Sequence, residues 1–295
     1  MSRMPDFLVI GAMKCATSTL HEQLARQAGV FMSTPKEPNF FSDDDVFARG
    51  IEWYASLFAR AGDGDVCGES STHYTKLPTH PRAVERMAKA VPGVKLIYVM
   101  RHPVERLVSH YVHAWTKREV GGPIDEAVEM HPALVDYGLY AMQLEPYVER
   151  FGWARVLPVF VGRLRRDPQG ELERVARFIG LRGQARWDDS LEQQNVSSAR
   201  LRDSGWRDVV AGLPASRALR RALLPERVRD RLKARWTMDR RPELGDEARR
   251  RVEAVFDEDL RRLGRWLGVD LSCATFDEVT ERGSLSWKGA SATAA

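Results

Sequence analysis

The chain has 295 residues, 43% of them hydrophobic, which is enough for one large α/β domain with a substantial core and argues against a disordered chain. Its formal charge is only +4, and its many arginines lie among acids in stretches such as Glu171 to Arg177 and Glu247 to Arg262. These read as solvated helix faces with i,i+4 pairs, and no aromatic residues alternate with them as stacking platforms, so a nucleic-acid partner is not expected.

Cys15, Cys67 and Cys273 are widely separated and show no CxxC or Cys/His spacing, so neither a disulfide framework nor a metal is expected, and a reducing cytoplasm fits. The apolar run near the start is too short for a signal peptide, and no segment approaches the roughly 20 apolar residues of a membrane span. A soluble, cytoplasmic protein is expected, for which contact with a lipid-linked substrate stays open.

In chain order, Phe7 to Ile10 reads as a buried strand that stops at Gly11, after which Leu20 and Leu24 restart the pattern at helical spacing over about Thr17 to Gln27. Val30 to Met32 leads into a loop whose Pro35 and Pro38 rule out helix and central strand, pinned at its far end by Phe40 and Phe41. A helix over Ile51 to Ala59, a short strand over Asp65 to Glu69, a polar loop over Ser70 to Thr79 and a helix over Pro81 to Ala90 follow. Lys95 to Met100 is the strongest strand, a continuous run of the kind buried on both faces of a parallel sheet.

Pro103 opens a helix to about Lys117, and a second helical region covers Pro123 to Phe151 with a break near His131-Pro132. Val156 to Val161 is a fourth apolar strand despite Pro158, and Asp167-Pro168 caps a helix to about Ile179. From Arg182 onward no strand is expected. Instead come an ordered loop over Trp187 to Ser204, short helices over Trp206 to Leu213, Ser216 to Leu223 and Pro225 to Arg235, and a long helix over Asp246 to Leu267. That helix carries Val252, Val255, Phe256, Leu260, Leu263 and Leu267 on one face, and Ser284 to Ala295 reads as a frayed tail. Alternating strands and helices imply right-handed crossovers, so the expected fold is α/β, a single domain over residues 1–283 with a central parallel sheet flanked by helices. Its α/β core spans residues 5–182 and its helical C-terminal portion residues 183–283, with ligand groups outside the carboxyl ends of the strands.

Two constellations carry chemistry. The first is Gly11-Ala-Met-Lys14-Cys15-Ala16-Thr17-Ser18-Thr19, a strand-to-helix turn delivering a lysine and hydroxyls to a helix N-terminus, where unpaired amides and the dipole favour an anion. It lacks the Gly-Lys pair of a P-loop ATPase and the glycine repeat of a dinucleotide fingerprint. The second follows the strongest strand, with Arg101 at the strand end and Ser109 on the next helix suited to converge on a phosphate.

Together, Gly-Ala-Met-Lys14-Cys-Ala-Thr17-Ser-Thr and Val-Met-Arg101-His-Pro-Val-Glu-Arg106-Leu-Val-Ser109-His-Tyr resemble the donor motifs of sulfotransferases that use 3′-phosphoadenosine 5′-phosphosulfate (PAPS). The first resembles the 5′-phosphosulfate loop and the second the 3′-phosphate site. Pro35-Lys-Glu37-Pro-Asn-Phe-Phe41 resembles a segment of Golgi heparan sulfate sulfotransferases and their bacterial relatives in which the glutamate is the catalytic base. The resemblance covers about residues 5–182 and implies a P-loop-like sulfotransferase fold. It implies that Lys14 and Cys15 to Thr19 hold the donor with Arg101 and Ser109, that Glu37 takes the acceptor proton, and that adenosine 3′,5′-bisphosphate is released. The chain departs from the pattern at Ala16, where glycine is usual, at Ser70, where a second active-site lysine is found, and at Gly162-Arg163-Leu, which replaces a frequent acidic pair.

His73 and His110 are alternative bases near the same strand ends, and Trp115, Tyr137 and Tyr140 are candidate stacking surfaces for an acceptor. A hydroxyl, or as second choice an amine, of a carbohydrate, glycolipid or small-molecule acceptor, reached through Pro35 to Asp45, Ser70 to Thr79, Trp115 to Tyr140 and Arg182 to Ser204, is compatible with these residues. The alternatives are a nucleotide-dependent kinase and an inactive nucleotide-binding protein. Oligomeric state and acceptor identity are not encoded in any motif found.

Overall fold

Phe7–Gly11 (β1) is buried along its whole length and forms the middle of the sheet. In this computed structural model, which describes residues 3–194, 200–201, 237–238 and 240–288, four more parallel strands flank it: Val30–Met32 (β2), Val66–Ser70 (β3), Lys95–Met100 (β4) and Val156–Phe160 (β5). The order is β2-β3-β1-β4-β5. Phe7 pairs with Gly68 on one side and with Lys95 on the other. Because the chain leaves β1 for the β2 edge, returns through β3 and crosses to β4, the carboxyl ends of β1, β3 and β4 open onto one crevice, the usual ligand position in such sheets.

The helices pack as the sequence pattern anticipates. Thr17–Ala25 (α1) follows β1, and the short Asp44–Phe47 (α2) and Gly50–Ser56 (α3) precede β3. Ala83–Ala90 (α4) begins two residues after Pro81, and Pro103–Thr116 (α5) follows β4. The region after Pro123 breaks twice, giving Ile124–Met130 (α6), Ala133–Asp136 (α7) and Tyr140–Phe151 (α8). The first break falls at the expected His131-Pro132. Val161–Arg166 (α9) and Pro168–Ile179 (α10) complete the core, with Asp167 accepting the Gly170 N–H at 3.0 Å as the cap of α10.

β5 lies at the sheet edge, which is why Pro158 is tolerated there: its missing N–H faces no neighbouring strand. Three expectations change. Val255 is 47% exposed, although its neighbours Val252, Phe256, Leu260, Leu263 and Leu267 are buried on Asp246–Leu267 (α11). The stretch expected as a frayed tail contains Trp287, 2% exposed, whose Nε1 donates to the Val156 carbonyl at 2.6 Å and so covers part of the β5 edge. After Arg182, where no strand is expected, Arg200–Leu201 (β6) and Thr237–Met238 (β7) form an antiparallel ladder. Helices expected over 206–213, 216–223 and 225–235 lie outside the described residues. A final helix, Phe276–Arg282 (α12), packs on α9, and no described helix is long and apolar enough to cross a membrane.

Candidate active site

Gly11 ends β1 because a side chain has no room there: a Cβ would strike Thr75 Oγ1 and lie 2.9 Å from Tyr98 Cε2. The Thr75 hydroxyl donates to the Ile10 carbonyl at 2.8 Å, so the end of β1 is clamped to the turn after β3. The loop then swings through left-handed conformations at Lys14 (φ 69°) and Ala16 (φ 58°) and enters α1. Ala16 is the N-cap, makes no side-chain capping bond, and no acidic residue occupies the first turn of α1. The amides opening this helix therefore remain available to an anion, at the positive end of its dipole.

The proline-rich loop is attached to β3 by backbone bonds. Ser33 N donates to Gly68 O at 2.9 Å, Glu37 N to Ser70 O at 2.9 Å, and Asn39 N to Ser71 Oγ at 3.0 Å. Phe40 and Phe41 anchor its far end beside Tyr54, with Phe40 stacked on that ring at 4.4 Å. This delivers Glu37, itself at φ 58°, toward the anion loop. Its Oε1 accepts the Thr72 hydroxyl at 3.1 Å and faces Lys36 Nζ at 3.5 Å, while Lys36 also donates to Ser18 Oγ at 2.7 Å. Lys36 thus ties the carboxylate to the anion loop. Burial pushes the Glu37 carboxyl up, but Lys36, the Thr72 hydroxyl and His73 outweigh that and hold it below its ordinary value.

One cleft of about 1000 Å³ unites these elements. Of the residues expected to bind donor or perform chemistry, Lys14, Ala16, Thr17, Ser18, Thr19, Glu37, Arg101 and Ser109 all line it, as do His73, His110 and Tyr137. Arg101 reaches it from the end of β4 with its Nε 2.7 Å from Glu105 Oε2, which orients the guanidinium.

Three expected residues stand apart. Cys15 is fully buried and its N–H donates to Ala12 O at 3.2 Å, so it shapes the loop from behind. Tyr140 is also fully buried, its hydroxyl bonded to the backbone of Arg101, so it is not a stacking surface. Trp115 does not line the cleft. Tyr137 does, stacked on His110 with centroids 5.6 Å apart. Burial lowers His73 to about 4 and His110 to about 2, with the Lys76 charge contributing to both shifts and the Arg106 charge to that of His110, so both rings are neutral near pH 7.

Sequence reasoning did not single out Lys36, Thr72, Lys76, Lys117 or Trp187, all of which line the cleft. The signal for Lys36 was its place beside Glu37 between two prolines. Lys76 and Trp187 lie in loops already marked as acceptor loops. Ser70, where the pattern has a lysine, is buried and 2.9 Å from His21 Nδ1, so no cation occupies that position.

A doubly wound domain that gathers an uncapped helix N-terminus, a strand-end arginine and a loop carboxylate in one cleft belongs to the class of nucleotide-dependent group-transfer enzymes. The family comparison makes that specific. The description "Sulfotransferase domain" matches residues 4–264. Human heparan sulfate glucosamine 3-O-sulfotransferase 6 is 34% identical over 192 residues, covering 61% of this chain and 53% of that protein. The mouse bifunctional heparan sulfate N-deacetylase/N-sulfotransferase 4 is 25% identical over 209 residues, covering 64% of this chain and 24% of that protein. This chain spans about half the length of the 3-O-sulfotransferases it matches. A crystal structure of a sulfotransferase from Alicyclobacillus acidocaldarius superposes with a TM-score of 0.64 at 22% identity, covering 91% of this chain and 98% of that one, and so shares the fold. The chain belongs to the sulfotransferase domain family, the PAPS-dependent class.

Proposed function

We propose that the cleft transfers a sulfuryl group from PAPS to a hydroxyl of a carbohydrate or small-molecule acceptor. The observation that carries this reading is the convergence of Lys14, Arg101 and Glu37, from three separate segments, on one cleft. The residues present fit the donor: the uncapped start of α1 with Lys14 suits its 5′-phosphosulfate, and Arg101 with Ser109 suits its 3′-phosphate. The donor supplies the activated sulfuryl group. The relatives named as heparan sulfate glucosamine 3-O-sulfotransferases favour oxygen over nitrogen as the acceptor atom.

Such transfers pass through a loose transition state in which catalysis is mostly positioning and charge stabilisation. Glu37, ionised at neutral pH, takes the acceptor proton. Because that proton leaves late in a loose transition state, even a carboxylate held below its ordinary basicity can accept it. Lys14 and the amides and hydroxyls of Thr17, Ser18 and Thr19 stabilise charge on the leaving phosphate. Lys36, bridging Ser18 and Glu37, keeps the base facing the loop.

Calorimetry with adenosine 3′,5′-bisphosphate tests the donor half. Binding should weaken at least about tenfold in both Lys14→Ala and Arg101→Ala, the loss expected for one charge-assisted contact. ATP with magnesium should not displace the bisphosphate. Unchanged affinity in both variants contradicts the two-motif donor site, and displacement by magnesium ATP favours the kinase reading.

A further inference from the structure

Lys76 is a buried cation of the cleft that the donor reading leaves without a task. It ends the single-turn helix Thr72–Thr75, and its backbone is clamped on both sides. Thr75 donates to Ile10 O at 2.8 Å, while the fully buried Gln143 side chain accepts the Leu77 N–H at 2.8 Å and donates to the Leu77 carbonyl at 2.9 Å. The side chain is only 9% exposed, yet it lines the cleft, with Nζ 5.7 Å from the centroid of the Tyr137 ring. Among the described residues no carboxylate lies within ion-pair distance of it. Lysines are rarely buried to this degree without an anion.

The surroundings do not supply that anion. Glu37 is already engaged by Lys36 and Thr72. Of the charges acting on Lys76, Glu37 and Glu119 are negative and Lys117 and Arg106 positive, while the neighbouring rings of His73, His80 and His110 have lowered proton affinity and are neutral at pH 7. Burial, the largest influence, pulls the Lys76 ammonium down to about 8. The donor reading already places Lys14 and Arg101 on the donor's phosphates, and Lys36 is bound to Ser18 of the anion loop. An anion matching Lys76 is therefore one that arrives with the acceptor. Beside the ammonium, Tyr137 is stacked on His110 and tied by its hydroxyl to Thr79, so the wall of the cleft at Lys76 is fixed.

We propose that Lys76 is an acceptor-specificity residue, binding an acidic substituent of an acceptor whose hydroxyl then faces Glu37. This rests on the sulfuryl-transfer reading for the identity of the other occupant, but its test does not. The probes are p-nitrophenyl β-D-glucuronide and p-nitrophenyl β-D-glucoside, which share an aglycone and differ by a carboxylate. Calorimetry on the full chain, with and without adenosine 3′,5′-bisphosphate, compares wild type, Lys76→Met and Lys76→Arg.

Wild type should bind the glucuronide about tenfold more tightly than the glucoside, the value of one charge-assisted hydrogen bond. Lys76→Met should remove that preference, Lys76→Arg should keep most of it, and bisphosphate affinity should stay within about twofold in both variants. A glucuronide that binds no better than the glucoside, or a preference that survives Lys76→Met, overturns the proposal. So does a large loss of bisphosphate affinity in a Lys76→Met protein with unaltered circular dichroism, which would assign Lys76 to the donor. Failure of wild type to bind the bisphosphate would count against the sulfuryl-transfer reading, while the glycoside comparison would still decide the role of Lys76.

Discussion

The Tyr140 hydroxyl accepts the Arg101 N–H at 3.2 Å and donates to the Arg101 carbonyl at 2.6 Å, so one buried side chain holds both backbone groups of the strand-end arginine. The same oxygen lies 3.6 Å from Cys15 Sγ in the anion loop, and therefore touches both segments of the proposed donor site. Tyr140 is itself positioned from below, because Asp259 of α11 accepts the Ala141 and Met142 N–H groups at 2.8 and 2.9 Å where α8 begins. The long C-terminal helix is in this way connected to Arg101 at the end of β4.

Tyr140→Phe keeps the ring and removes both bonds to Arg101. We expect a loss of about 1–2 kcal/mol in unfolding free energy, from groups left unpaired in the interior. Affinity for adenosine 3′,5′-bisphosphate should fall by more than affinity for an acceptor, because only the donor site loses its brace. Urea unfolding and calorimetry on the same protein separate the two effects.

Ala16→Gly tests the departure from the sulfotransferase pattern. Ala16 holds φ 58°, a left-handed conformation that costs an L-residue about 1–2 kcal/mol, against roughly 0.5–1 kcal/mol for the extra unfolded-state entropy of glycine. The variant should gain up to about 1 kcal/mol, raising the melting temperature by about 2 °C, with donor affinity retained. A lower melting temperature would show that alanine is preferred there.

The histidines predict acid sensitivity. Burial, joined by the charge of Lys36 at His21, of Lys76 at His73 and of Arg106 at His110, lowers the three rings to about 4, 4 and 2. Unfolded histidines take up protons near pH 6.5 while the folded ones do not, so stability is complete above that pH and falls as pH drops from about 6.5 toward 4. Denaturant midpoints across this range should decline, and the decline should be shallower in His110→Asn.

Lys76 has the opposite window. Its ammonium is lowered to about 8, so folded protein releases a proton that unfolded chain retains, and stability rises as pH goes from about 8 to 10.5. At pH 7 the charged side chain costs on the order of 3 kcal/mol. Lys76→Met should therefore be more stable than wild type at pH 7 and should lose the alkaline rise, as thermal melts at pH 7 and 10 will show. Greater stability accompanied by weaker binding of acidic acceptors is the pattern of a residue kept for recognition.

The strands were legible because Phe7 to Ile10 and Lys95 to Met100 are continuous apolar runs, which few positions outside a covered parallel sheet accommodate. The places of the anion loop and of Arg101 in the cleft were legible because both follow such strands directly. Chain spacing does not reveal what an element meets in space. Val255 has the periodicity of a core residue but faces solvent, and Trp287 sits in a polar stretch but covers the β5 edge. Tyr140, read as an acceptor surface, is a brace because α8 begins behind Arg101. Lys76 was marked only through its loop and not as a residue, since its importance comes from burial opposite Tyr137, a contact across 61 positions in the chain.

Transfer of radiolabelled sulfate from PAPS tests the central claim most directly, using wild type and Glu37→Gln with a panel of acidic and neutral hydroxyl acceptors. Wild type should label at least one acceptor. Glu37→Gln should bind adenosine 3′,5′-bisphosphate as wild type does yet lose at least about 100-fold in turnover, the usual contribution of a positioned general base. A Glu37→Gln protein that labels acceptor at the wild-type rate would contradict the assignment of Glu37 as the base.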